Sequence, residues 1–136
     1  MIVRVDALGL LLEARRALVA EVPGGFFGLA ALGRWWLPSA LLAEGEAPAE
    51  VAARAVKALV GLDLSDAVLV GARPQQVGPG WQLGLVVAGA LGGDPDPHPP
   101  ATGYSLRTLG ELPDQVGLWH RDDLAVLAAR YERLRL

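Results

Sequence analysis

The chain has 136 residues, 52% of them hydrophobic and 20% charged, with a formal net charge of −3. That length fits a single domain over residues 1–136, large enough to bury about two thirds of its unfolded surface, and the apolar fraction excludes a disordered chain. Twelve basic residues against fifteen acidic ones, without a basic run, argue against nucleic acid as a partner. The absence of cysteine excludes disulfides, thiolate-held zinc and thiol catalysis.

Ile2–Leu12 opens with alternation, Val3 and Val5 on one face and Arg4 and Asp6 on the other, then turns continuously apolar. This predicts a strand entering a core. It lacks the basic segment and apolar run of a signal peptide, so a cytoplasmic location is expected. Glu13-Ala14-Arg15-Arg16 reads as a turn and Ala17–Val22 as a second strand; a helix over Leu8–Ala20 competes, because Leu, Glu, Ala and Arg all favour helix. Pro23-Gly24-Gly25 is a loop, and Phe26–Gly33 is apolar but glycine-punctuated, favouring neither element.

Trp35–Leu37 predicts a short strand halted by Pro38, and a loop containing Gly45 leads to Pro48, which suits the first turn of a helix. From Pro48 to Val60 a stripe of Val51, Ala52, Ala55, Val56 and Leu59 recurs every three or four residues, and Gly61 sits at the place of a left-handed cap. Strands are expected at Ala67–Val70 and Trp81–Ala90, with a Gly/Pro loop at Gly71–Gly80 between them. The uncharged stretch Val77–Gly93 contains six glycines and a proline and falls short of the roughly 20 apolar residues of a membrane span. No membrane contact is therefore expected. Gly92–Gly103, with four prolines, reads as a surface loop, and Tyr104–Leu109 as a strand. A last helix begins at Asp122 or Asp123 and runs to Arg135, burying Leu124, Leu127, Ala128 and Tyr131. Strands interleaved with two helices define a mixed α/β class.

The segment from Trp36 to Leu62, read as Trp-Leu-Pro, a Gly-Glu loop, a helix and Gly-Leu, resembles the signature of the Nudix hydrolase family. That signature is Gly, five residues, Glu, seven residues, Arg-Glu, an aliphatic, any residue, Glu-Glu, any residue, Gly and an aliphatic. With Glu46 on the first Glu, Arg54, Val56, Gly61 and Leu62 fall in register without a gap. The resemblance implies an α/β/α sandwich around a mixed β-sheet. It departs where the chemistry lies: the opening Gly is Ala40, and the three glutamates that hold Mg²⁺ or Mn²⁺ in the family are Ala55, Ala58 and Leu59. Hard divalent cations need oxygen ligands to neutralise a diphosphate and acidify water, and these residues offer none. Apolar residues there also relieve the mutual repulsion of clustered carboxylates.

The expectation is therefore a degenerate, metal-free and inactive site in a protein that binds a nucleotide or another small molecule, or another chain. The paired tryptophans and high apolar content favour a two-fold homodimer. The alternative is an active hydrolase of nucleoside diphosphate derivatives, with Mg²⁺ or Mn²⁺ held by relocated carboxylates from Glu44, Glu46 and Glu50. Glu46 and Arg54 could form a residual polar site or an ion pair locking loop to helix. Trp35 and Trp36 must face opposite ways on a strand, one into the core and the other free to stack on a nucleobase, with Arg34 beside them for a phosphate. His120-Arg121-Asp122-Asp123 reads as charge complementing a helix N-terminus rather than as a catalytic group. His98 reads as an exposed loop residue, and Ser39 lacks the glycines of a nucleophile elbow.

Overall fold

Apolar side chains at both parities of the first strand require cover on both faces of the sheet it enters. A computed structural model, which describes residues 2–27 and 33–135, shows how that cover is supplied. The elements in order are β1 (Ile2–Leu11), β2 (Arg16–Glu21), β3 (Trp35–Trp36), β4 (Ser39–Leu41), α1 (Pro48–Val60), β5 (Asp63–Val77), β6 (Gly80–Gly92) and β7 (Gly103–Thr108). A 3-10 turn at Leu109–Glu111, β8 (Gln115–Val116), β9 (Trp119–His120) and α2 (Arg121–Arg135) complete them.

The main sheet runs β3-β2-β1-β6-β5, with β4 added to β1 and β7 to β2. The β1–β6 pair is parallel, and the pairs β1–β2, β1–β4, β2–β7 and β5–β6 are antiparallel. One face packs Val5, Ala7, Leu18, Trp36 and Leu85 against Val51, Val56 and Leu59 of α1. The other packs Leu8, Leu10, Val19 and Val86 against Leu124, Leu127 and Tyr131 of α2. The architecture is the expected α/β/α sandwich around a mixed sheet.

The helix α1 has the predicted bounds. Pro48 opens it, where a missing N–H is not needed, and Gly61 closes it at φ 69°, donating its N–H to Lys57 O at 3.0 Å. The competing helix over Leu8–Ala20 does not form; the β1–β2 hairpin occupies that segment, pairing Leu10 with Ala17. Three expectations are corrected. Gly71–Val77 is strand, not loop, and the connection to β6 is only Gly78-Pro79. Pro74 is tolerated because β5 lies at the end of the sheet, where one edge needs no ladder N–H. Ser39–Leu41, read as loop, pairs with β1, and α2 starts one residue earlier, at Arg121. Of the unassigned Phe26–Gly33 segment, residues 28–32 lie outside the described residues.

The proline-rich loop after β6 is tied down at its backbone. Asp96 N–H donates to Val60 O and His98 N–H to Leu59 O, both at 2.8 Å, satisfying carbonyls at the C-terminal end of α1. Thr102 N–H reaches Glu21 O at 2.8 Å. The loop is thus a strap across the end of the helix.

Candidate functional site

The α1 segment carries the positions of the family's glutamates and forms one wall of a pocket of about 280 Å³. Arg54, Ala55, Ala58 and Leu59 line it from the helix, Ser39 and Ala40 from β4. Phe26 and the Pro99-Pro100 pair of the strap close its sides. Ala55 and Leu59 are buried against the sheet while Ala58 stands exposed at the rim. The cleft is therefore open, and its walls are chiefly methyl, proline and phenyl groups.

Glu46 and Arg54 meet at its edge. Arg54 Nη1 donates to Glu46 Oε2 at 2.6 Å, and the Ala43 N–H donates to Glu46 Oε1 at 2.9 Å. Both carboxylate oxygens are engaged, so the loop before α1 is latched to the helix. The Arg54 hydrogen bond, then the Ala43 N–H, holds the Glu46 carboxyl below the usual carboxylate range, while Glu46 raises Arg54. Glu44 and Glu50 are exposed, and among the described residues no three His, Asp or Glu side chains converge to hold a metal ion. The Mg²⁺ or Mn²⁺ that the fold family implies does not fit the donor set of this cleft. Ala55, Ala58 and Leu59 present no oxygen to it, and Glu46 is occupied by Arg54 and Ala43.

The tryptophans divide as their adjacency requires. Trp36 is 1% exposed, packs in the α1-side core, donates Nε1–H to Gly33 O at 3.1 Å and meets the Phe26 ring edge-on at 5.6 Å. Its ring faces are covered. Trp35 is half-buried on the opposite side, with the Arg107 guanidinium 5.0 Å from its ring centroid. Arg34 is exposed and pairs with Glu21. None of the three lines the α1 pocket. His120 Nδ1 accepts the Asp122 N–H at 3.1 Å, so it caps the first turn of α2. His98 is half-exposed on the strap, its Nε2 4.0 Å from Asp96.

A polar cluster that the sequence left unrecognised lies on the other face of the sheet. Arg4 is 0% and Asp6 2% exposed. Arg4 Nε and Nη2 donate to Asp6 at 2.8–3.0 Å, Nη1 donates to Gln82 Oε1 at 3.0 Å, and Nη2 also reaches Gln75 Oε1. Asp6 further accepts Ser39 Oγ–H at 2.6 Å and Trp119 Nε1–H at 2.7 Å. Among the described residues no buried side-chain polar atom is left without a partner, and the two charges cancel. The signal was present: Arg and Asp at matching parity in a strand whose other residues are apolar on both faces.

No protein-family model matches the sequence, and no curated protein does. Solved structures define the fold as that of the Nudix hydrolases. The chain is similar to the MutT protein from Methanosarcina mazei Go1, with a TM-score of 0.72 at 19% identity over 98% of this chain and 94% of that one. A Nudix hydrolase from Nitrosomonas europaea gives 0.68 at 20% identity, covering 97% and 88%. The Nudix domain of Shewanella oneidensis NrtR, solved in complex with ADP ribose, gives 0.70 at 15% identity, covering 98% and 88%. At such identities the likeness is one of fold.

Proposed function

We propose that this chain is a Nudix-fold binding protein without metal-dependent cleavage of diphosphates, and that the pocket against α1 receives its ligand. The observation that carries this reading is the replacement of all three cation-holding carboxylates by Ala55, Ala58 and Leu59 in a cleft that is nonetheless open. A diphosphate repels an anionic nucleophile unless its charge is neutralised, and the cation of this cleft's rim, Arg54, is already paired with Glu46. The ligand is a nucleotide or another small molecule; the ADP ribose held by the Shewanella domain supports the nucleotide class.

Incubation with ADP ribose and a panel of nucleoside diphosphate derivatives, in Mg²⁺ or Mn²⁺, tests the reading. No turnover is expected, while a bound ligand at a hundred times its Kd stabilises the fold by about 2.7 kcal/mol. Robust turnover lost in Glu46→Gln would establish instead a hydrolase built on Glu44, Glu46 and Glu50.

A further inference from the structure

We infer that the α1 pocket takes up a flat, uncharged, apolar ring of its ligand and leaves any diphosphate of that ligand outside its walls. This rests on the reading of the cleft as a binding site and names its ligand class. Two walls are fixed before any ligand arrives. The Phe26 ring packs edge-on against Trp36, itself anchored by its indole N–H to Gly33 O. Opposite the helix end, Pro99 and Pro100 sit on a strap fastened to Leu59 O and Val60 O through the His98 and Asp96 N–H groups. Between them Ala55 and Ala58 are short enough to leave space, and Leu59 adds an apolar side chain.

Proline and phenyl walls present C–H edges and a π-face, which suit a planar ring. Preformed apolar walls also reduce the ordering that binding requires. A polyanion finds the reverse. It would surrender its hydration to methyl groups, and Arg54 Nη1 at the rim is committed to Glu46 Oε2. Charge complementarity therefore favours a neutral ring inside the pocket, with any charged group of the ligand left in solvent beyond the rim.

The test is an amide NMR titration of the intact chain with indole, and separately with inorganic pyrophosphate in the presence of Mg²⁺. Indole is expected to shift the Ala55, Ala58 and Leu59 amides saturably, and pyrophosphate to leave them in place. Ala58→Leu, at an exposed position that can take a larger side chain without unfolding the helix, should weaken indole at least tenfold while preserving the rest of the spectrum. The inference is overturned if indole leaves these amides unmoved, if Ala58→Leu binds indole as well as the wild type, or if pyrophosphate shifts the same residues. Shifts that follow protein concentration and vanish in Ala58→Glu would also overturn it, since a second copy would then fill the pocket. Failure of indole without diphosphate turnover sinks this inference alone; turnover of ADP ribose sinks the reading beneath it.

Discussion

Asp6 shows how much a single side chain can hold. Its carboxylate gathers donors from Arg4, Ser39 and Trp119, which come from β1, β4 and β9. Removing one member of a buried ion pair strands the other charge in a low-dielectric interior, at a cost of about 3–5 kcal/mol. Asp6→Ala is expected to lose that much in urea denaturation. Gly84 belongs to the same cluster for reasons of space, since a Cβ there would lie 2.8 Å from Arg4 Nη2. Glu46 is the contrasting case, half-buried and latched to the exposed Arg54. Its folded pKa is depressed, chiefly by the Arg54 hydrogen bond. A group of that kind adds stability above its unfolded pKa and loses it as pH falls through the folded one. The Tm difference between wild type and Glu46→Gln should be present at neutral pH and disappear on acidification past the usual carboxylate range; a difference that persists in acid would contradict the latch. These clusters differ in legibility. Glu46 and Arg54 could be paired from a local motif, but Asp6 and Trp119 are 113 residues apart, and strand alternation shows parity without saying what covers the face.

Among the elements, α1 is the most legible because three local cues agree, Pro at its first turn, an apolar stripe and Gly at its cap, although its N-cap Ala47 makes no side-chain cap. Gly61 holds φ 69°, and a Cβ there would make only an ordinary contact, 3.5 Å from His98 Nε2. The penalty of Gly61→Ala is therefore backbone strain, expected at about 1–2 kcal/mol in thermal or chemical denaturation. β5 was misread for a related reason. Its Gly71 and Pro74 are turn formers in isolation, yet Gly71 sits at a register shift of the β5–β6 pair and Pro74 on a terminal strand. Neighbouring elements, not local preference, decide such positions. β5 is also bound to α2, as Arg130 Nη1 donates to Val70 O at 2.6 Å and Tyr131 Oη to Asp66 O at 2.8 Å. Asp66 and Val70 fall in the register shifts of the β5–β6 pair, so these bonds satisfy carbonyls that the ladder leaves unpaired.

At the scale of the molecule, helices on both faces leave an apolar interior on each side of one mixed sheet, and no described helix is long and apolar enough to cross a membrane. Exposed apolar side chains remain, Trp81 at 56% and Val126 at 58%. The two-fold homodimer expected from the sequence would give twice the chain mass in light scattering; a monomer at high concentration would refute it. The fold could be anticipated because the order of elements survives large changes in sequence, whereas the ligand could not, because the open pocket is assembled from four separate segments. The central claim is that oxygen donors have been replaced by apolar groups along α1, and calorimetric titration of the whole chain with Mn²⁺ tests it most directly. The account predicts no saturable heat for the wild type. A stoichiometric, tight isotherm abolished by Glu46→Gln would contradict it.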